Sequence, residues 1–362
     1  MKVLFISRAT FFKDPGGDTI QAVETAKELG KLGVQADLKL CNEEIMYEEY
    51  DLIHFFNIIR PADILIHIEK SRKAFVISTI YVDYAEQEKQ LRKGFAGLIF
   101  RTLSSNTIEY IKVVARWLVN GEKIISPSYL LLGQKKSIRR IVRQASMLLP
   151  NSRSEYERLK KDYRVENDYT IIPNGINPSI FIHQTEEQPR DPHLVICVGR
   201  IESRKNQINL IRALNNTKYQ LILIGSPSAN QAQYDEECRR LAAGNISFIH
   251  KLPQEELIAF YCKAKVHALP SWFETTGLSS LEAAAMGCNI VITEKGDTRE
   301  YFGNYGFYCD PNSPASIFAA VENASSSLFN EQLRETIYSK NTWTRAAELT
   351  REVYHSVLGR IN

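Results

Sequence analysis

The feature that most constrains this 362-residue chain is an alternation. Short apolar runs of strand length recur, each followed by a stretch with helical periodicity. Lys2–Ser7, Gln35–Leu40, Leu52–Phe56 and Phe75–Ile80 read as strands, and 148–152 reads as a strand end entering a helix at Glu155–Tyr163. Between the first two, Asp18 or Thr19 caps a helix whose Ala22, Val23, Ala26 and Leu29 share one face. Tyr169–Ile172 is a further short strand, ending in a Pro-Asn-Gly turn at 173–175. The pattern restarts at His193–Val198. Strands at 219–224, 246–249, 266–269 and 289–292 then alternate with helices at 207–214, 230–242, 254–263, 278–286 and 298–302, before a helical tail over 314–358. Such alternation implies α/β architecture, with parallel strands covered by helices on both faces.

The length suits about two domains. The polar, proline-containing stretch 183–192 is the linker candidate, so the expected domains are 1–182 and 183–342. Two doubly wound halves around a linker would enclose a cleft at the carboxyl ends of both sheets. None of the six cysteines forms a C-x-x-C pair, which argues against a zinc ribbon or a thioredoxin-type site and suits a reducing cytosol. The opening apolar run is too short for a signal peptide, and no run of 18 apolar residues exists to cross a membrane. Segment 89–143 carries 12 Lys or Arg against Glu109 and Glu122 only. It reads either as solvated helix faces or as a patch on anionic lipid, with Leu98, Ile99, Phe100 and Trp117 as shallow apolar contacts. No nucleic-acid motif accompanies the charge, so no nucleic-acid partner is expected.

Three constellations carry chemistry. In 269–293 a strand ends at Pro270, a loop carries Glu274, a helix starts at Gly277-Leu278, and Glu282 lies early in it. Helical side chains tilt toward the N-terminus, so both glutamates are expected to flank the helix start, where free N–H groups suit a diphosphate. The carboxylates are better matched to hydroxyls, Glu282 to a ribose and Glu274 to a transferred sugar; spacing alone also suits a solvated surface. In 198–206, Arg200 and Lys205 follow a strand and would neutralise a leaving diphosphate, or form a solvated basic loop. Gly16-Gly17, after the first strand, would let backbone approach phosphate or make a simple turn; no G-x-G-x-x-G is present, so a dinucleotide site is not expected.

In this order, with PNGIN (173–177), VGRIESRKNQINLIRAL (198–214), PSWFETTGLSSLEAAAMGCNIVIT (270–293), Thr298-Arg299-Glu300 and Trp343, the chain resembles the retaining glycosyltransferases of family 4. The resemblance implies the GT-B fold, two Rossmann-like doubly wound domains facing across a cleft, with the C-terminal helix 343–362 packing back on the first domain. It implies that Arg200 and Lys205 hold the diphosphate of a UDP- or GDP-sugar, and that Glu282 binds the ribose. Glu274, Thr275 and Thr276 would line the donor sugar, the Gly277 and Leu278 amides would meet phosphate, and Gly16 and Gly17 would approach it from the other domain. It implies no metal and no cofactor, which suits a chain without Asp-x-Asp. One departure is visible. Tyr81 stands where many members have a histidine, with Asp83 two residues on, and either replaces it; His54 is a further candidate on the acceptor side or a structural residue.

The expected activity is transfer of a hexose-type sugar to a glycan or polyprenyl-linked acceptor, in bacterial surface polysaccharide assembly, by a cytoplasmic protein resting on the inner face of the plasma membrane. Same-face attack is favoured, since Asp83 is the one carboxylate near the first-domain motifs; Arg200, Lys205, Glu274 and Asp83 form the catalytic set. A nucleotide-sugar 2-epimerase and a non-catalytic nucleotide-sugar-binding subunit are the rival expectations.

Overall fold

The structure is a computed structural model that describes residues 1–13, 15–82, 106–107, 110–111, 126–182 and 189–360. It divides into two compact units, Met1–Pro173 with the chain from Trp343 onward, and Asn174–Thr342. The division falls at Pro173 because the 173–177 turn is tied into the second unit. The Asn174 amide donates to Thr276 Oγ1 at 3.0 Å, and Ile176 N–H donates to the Asn341 carbonyl at 2.9 Å. The expected linker 183–192 therefore lies within the second unit, and residues 183–188 are outside the described ones.

In the first unit the strands are β1 (Lys2–Ser7), β2 (Gln35–Leu40), β3 (Leu52–Phe56), β4 (Phe75–Ser78) and β5 (Met147–Leu149). The helices are α1 (Gly17–Lys31), α2 (Pro61–Ser71), α3 (Pro127–Gln144) and α4 (Arg153–Tyr163). Every strand pair is parallel, in the order β2-β1-β3-β4-β5. The apolar strands are covered on both faces: Val3, Leu4, Phe5, Leu52, Phe55, Val76 and Ile77 are fully buried. Each such side chain contributes roughly 1.5–3 kcal/mol of burial.

On α1 the expected face holds at Ala22 and Leu29, both fully buried, with Ala26 half-buried, and departs at Val23. Val23 is exposed, and the buried positions are Gln21, Ala22, Thr25, Glu28 and Leu29. Buried polar groups there are paired rather than excluded: Gln21 exchanges two hydrogen bonds with Asn151, and Glu28 accepts from Thr344 Oγ1 at 3.2 Å. Thr344 belongs to the final helix, Trp343–Gly359, which packs along α1. Tyr169–Ile172 lies along β5 without forming a regular strand: a bridge joins Tyr169 to Leu148, Thr170 N–H donates to the Leu148 carbonyl at 3.0 Å and Ile172 N–H to the Pro150 carbonyl at 2.9 Å.

The second unit contains β6 (Asp191–Val198), α5 (Gln207–Leu214), β7 (Gln220–Ile224), α6 (Ala232–Leu241), β8 (Ile246–Ile249), α7 (Gln254–Lys263) and β9 (Ala264–Leu269). It continues through α8 (Leu278–Ala285), β10 (Asn289–Thr293), α9 (Thr298–Phe302), β11 (Phe307–Cys309), α10 (Pro314–Ser326) and α11 (Glu331–Lys340). The tail is therefore not one helix: α10 and α11 stay in this unit, and α12 (Trp343–Gly359) joins the first. The sheet is parallel throughout, ordered β11-β10-β9-β6-β7-β8. Strand order reverses between β6 and β9, so the loops leaving those strands flank the topological switch point, where open α/β sheets bind ligands.

Candidate functional site

The loop after β6 and the loop after β9 are built onto each other. Asn206, in a left-handed conformation, donates to the carbonyls of Pro270 (3.0 Å) and Pro311 (2.8 Å) from a buried position. Trp272 N–H donates to the Arg204 carbonyl at 3.0 Å. β6 and β7 approach so closely here that a Cβ on Gly225 would lie 1.9 Å from the Gly199 carbonyl oxygen. These contacts fix where the charged side chains of both loops stand.

The central pair is Lys205 and Glu274. The ammonium donates to Glu274 Oε2 at 2.6 Å, and the same oxygen accepts from Ser271 Oγ at 3.0 Å. Glu274 is almost completely buried, its side chain 6% exposed and that of Lys205 13%. Burial pushes the Glu274 carboxyl up, but the charges of Lys205 and Arg204 and the two hydrogen bonds outweigh it and hold the group below its ordinary value. Arg200 is turned to a different carboxylate, Glu202, at 3.3 Å. Glu202 also takes Arg204 at 2.9 Å and the Ser228 hydroxyl at 2.8 Å; despite burial its carboxyl is lowered by the surrounding cations. Glu202 is a residue the sequence motifs did not single out.

α8 begins beside this pair. Its N-cap Gly277 has φ 71°, a conformation that favours glycine, and a Cβ there would sit a tight 3.1 Å from Ile292 Cδ1. Ser279 anchors the first turn to β6 through its hydroxyl, which donates to the Val198 carbonyl at 2.8 Å. Thr276 is buried and held by Asn174, whose own Oδ1 has no protein partner; Thr275 is half-buried. The helix start thus meets β6, Lys205 and Glu274 at the switch point, with first-turn N–H groups of the kind that bind anions.

Glu282 lies in α8 but faces another element. Its Oε1 accepts from Gln254 Nε2 at 2.7 Å and its Oε2 from the Tyr261 hydroxyl at 3.0 Å, both on α7. With neutral donors and no cation, burial dominates and pushes this carboxyl up to about 7. The two glutamates therefore flank α8 in opposite electrostatic settings. Among the described residues, no three His, Cys, Asp or Glu side chains converge as a metal set.

In the first unit, Gly16 is the N-cap of α1, its N–H donating to Thr19 Oγ1 at 3.2 Å, and Gly17 opens the helix. The helix thus starts ahead of the expected caps Asp18 and Thr19. A Cβ on Gly17 would meet nothing within 4 Å. Asp18 instead receives the buried Arg8 guanidinium at 2.8 Å, which lowers its carboxyl against the effect of burial. His54 is not an accessible acceptor-side group. It is 1% exposed, Nε2 meets Ser78 Oγ at 2.9 Å and Nδ1 meets the Tyr354 hydroxyl at 2.6 Å, and burial lowers its pKa to about 3. Tyr81 is likewise packed inward, its hydroxyl on Asp162 at 2.7 Å. Asp83, and Leu98, Ile99, Phe100 and Trp117 of the basic segment, lie outside the described residues.

Comparison with known proteins places this geometry. The sequence profile of glycosyl transferases group 1 matches residues 179–341, the body of the second unit. The D-inositol 3-phosphate glycosyltransferase of Acidothermus cellulolyticus is 27% identical over 205 residues, 50% of this chain and 46% of that one. The chain spans about half the length of the first curated relatives it matches. The fold is shared with sucrose-phosphate synthase of Thermosynechococcus elongatus, with TM-score 0.73 and 16% identity over 99% of this chain and 100% of that one. It is also shared with HepE of Anabaena in complex with UDP and glucose, with TM-score 0.71 and 15% identity over 98% and 100%. The architecture is that of GT-B proteins, two parallel-sheet Rossmann-like domains, and the likeness to the glycosyl transferases group 1 family lies in residues 179–341 of the second unit.

Proposed function

We propose that this chain is a retaining glycosyltransferase that moves a sugar from a nucleoside diphosphate donor to a glycan or polyprenyl-linked glycan acceptor. The observation that carries the reading is the buried Lys205–Glu274 pair beside the first turn of α8, at the point where strand order reverses. HepE, whose fold this chain shares, was solved with UDP and glucose, which supports a nucleotide-sugar donor. In this reading Arg200, Lys205 and the α8 amides take the diphosphate, Glu282 takes the ribose, and Glu274 with Thr275 and Thr276 faces the donor sugar.

The bond between the anomeric carbon and the phosphate oxygen breaks as negative charge grows on the diphosphate. Cations and amides beside that charge lower the barrier, Arg200 and Lys205 exchanging their contacts with Glu202 and Glu274 for the diphosphate. The acceptor hydroxyl attacks the same face, and its proton passes to the departing phosphate oxygen. The protein's task is placement and charge stabilisation. Arg200 and Lys205 do the work that a divalent cation does elsewhere, so activity persists in EDTA.

The setting we propose is a surface-polysaccharide pathway at the cytoplasmic face of the plasma membrane. The described part of the basic segment supports it: α3 presents exposed Lys135, Lys136 and Arg143 and a Leu131 that is 87% exposed. No described helix is long and apolar enough to cross a membrane. The test is thermal-shift screening against UDP-, GDP-, dTDP- and ADP-sugars, followed by product analysis with the stabilising donor. One donor is expected to raise the melting temperature and to yield an acceptor-linked sugar, and Arg200→Ala and Lys205→Ala are expected to slow turnover by orders of magnitude while staying folded. Donor interconversion without acceptor glycosylation would identify an epimerase instead, and wild-type rates in both variants would remove the proposed diphosphate role.

A further inference from the structure

Glu274 is held by its main chain as well as by its carboxylate. Its N–H donates to the Lys295 carbonyl, and its own carbonyl accepts from Asp297 N–H, both at 3.0 Å. An isolated parallel bridge thereby joins Glu274 to Gly296, in the loop that leaves β10. The approach is close. Gly296 has φ 110°, and a Cβ there would lie 2.0 Å from the Glu274 carbonyl oxygen and 2.8 Å from its carbonyl carbon. A side chain would push the two backbones apart, and an L-residue would be strained at that angle even with room. The loop is in turn tied to the end of β10 on both sides of Gly296. Lys295 N–H donates to Thr293 Oγ1 at 3.2 Å, and Thr298 Oγ1 donates to the Thr293 carbonyl at 2.7 Å. Thr293, Asp297 and Thr298 are all buried.

This support matters because the contact at the other end of Glu274 is exchanged in the proposed reaction. In the free protein Lys205 holds the carboxylate at 2.6 Å, and Lys205 is also the cation assigned to the diphosphate. Once the ammonium turns to phosphate, Glu274 keeps the Ser271 hydroxyl at 3.0 Å and its two main-chain bonds. We infer that Lys295, Gly296 and Asp297 are positioning residues for Glu274, whose backbone holds that residue at the donor sugar while Lys205 serves the diphosphate. The inference rests on the reading of Lys205 and Glu274 given above and adds the loop after β10 to that site. The support is made of peptide groups, so it carries no mobile charge that a diphosphate could draw away. Its precision has a consequence for rate: a displacement of about 1 Å in a group that orients a reactant costs on the order of 100-fold.

Two variants of the full chain test it. Gly296→Ala forces the loop away from Glu274. Thr298→Val removes only the hydroxyl that ties the loop to β10, and it decides the matter where the alanine variant does not fold. Calorimetric titration with UDP, GDP and ADP measures the diphosphate site. Titration with the glucose, galactose and mannose conjugates of the same nucleotides, and the rate at which each conjugate releases nucleoside diphosphate by transfer to water, measure the sugar end. Both variants are expected to bind the preferred bare nucleotide as the wild type does. The saturated rate is expected to fall on the order of 100-fold in Gly296→Ala and roughly tenfold in Thr298→Val, with loss of any extra affinity that the sugar confers. A role confined to stability would lower the melting temperature and leave the rate of the folded protein unchanged, or weaken bare nucleotide as much as it slows turnover. Either result overturns the inference and leaves the nucleotide site standing. So does a wild type that binds bare nucleotide but neither prefers nor turns over any of these sugar conjugates. A wild type that binds none of the nucleotides or conjugates overturns the proposed function as well.

Discussion

Glu282→Gln is expected to stabilise the protein at pH 8 and to change it little at pH 4.5. The wild-type carboxyl titrates near 7 in the folded chain, raised by burial against the opposing hydrogen bonds from Tyr261 and Gln254, from a reference of 4.5. Because the folded pKa is the higher one, the unfolded chain releases this proton first. The stability contributed by the protonated group is therefore complete below pH 4.5, falls as pH rises toward 7, and is fully lost above 7. A shift of about 2.5 units at about 1.4 kcal/mol per unit amounts to about 3 kcal/mol at pH 8. Glutamine carries no charge to desolvate at either pH. Its carbonyl accepts from Tyr261 and its amide donates to Gln254 once that side chain turns its own carbonyl inward, so the substitution leaves both partners satisfied. Urea unfolding of wild type and variant at pH 4.5 and pH 8 measures the difference. A stability gain of about 3 kcal/mol at pH 8 that shrinks below about 0.5 kcal/mol at pH 4.5 is the expected result. The same gain at both pH values, or destabilisation at pH 8, would refute the argument that burial without a cation sets the state of Glu282.

Lys205→Met leaves the Glu274 carboxylate buried with its ion-pair partner gone, and is expected to cost about 3–5 kcal/mol. Lys205→Met with Glu274→Gln should recover most of that loss in urea unfolding while donor turnover stays abolished. Glu202→Gln removes the charge that holds Arg200 and Arg204, and is expected to weaken nucleoside diphosphate binding on the order of tenfold by calorimetry, with the melting temperature shifted only modestly. His54, His67 and His267 have pKa values lowered by burial to about 3, 4 and 3. Their contribution is thus present above the unfolded value of 6.5 and is lost as pH falls below it, on the order of 3 kcal/mol per histidine by pH 4.5. Unfolding at pH 4.5 should accordingly take up close to three more protons than at pH 8 by potentiometry, beyond the carboxylates. Replacing Lys135, Lys136 and Arg143 by Gln should reduce flotation with anionic liposomes and leave neutral liposomes without effect; equal flotation of variant and wild type would show that the α3 face does not touch lipid.

Strand and helix identity was largely legible in the sequence because a parallel sheet covered on both faces must be written as continuous apolar runs. β1, β3, β6 and β10 are such runs, and their bounds are close to those the pattern suggests. The misreadings have a common physical source, which is that a side chain's partner lies far away along the chain. Val23 looks like a core residue of α1, but the buried face takes in Gln21 and Glu28 beside Ala22 and Leu29, because Asn151 and Thr344 satisfy them. Tyr169–Ile172 has strand composition and hydrogen-bonds along Leu148 and Pro150, yet the pairing is too short beside the three-residue β5 to make a regular strand. His54 stands at a strand end, where a catalytic histidine is plausible by position, and only the placement of Ser78 and Tyr354 shows that it is a core residue.

The site repeats that lesson with chemistry at stake. Glu274 and Glu282 are the same residue, eight positions apart, beside one helix. What separates a carboxyl held below its ordinary range from one raised to about 7 is the company each keeps: a lysine 69 residues earlier for the first, a tyrosine 21 residues earlier for the second. A chain selected for stability alone would gain by pairing Glu282 with a cation or replacing it with a neutral residue. Retaining an acid against neutral donors keeps its remaining acceptor directions unclaimed by a protein cation. The two carboxyls therefore differ in kind: contacts inside the protein hold Glu274 in its charged form, whereas those of Glu282 leave its burial uncompensated.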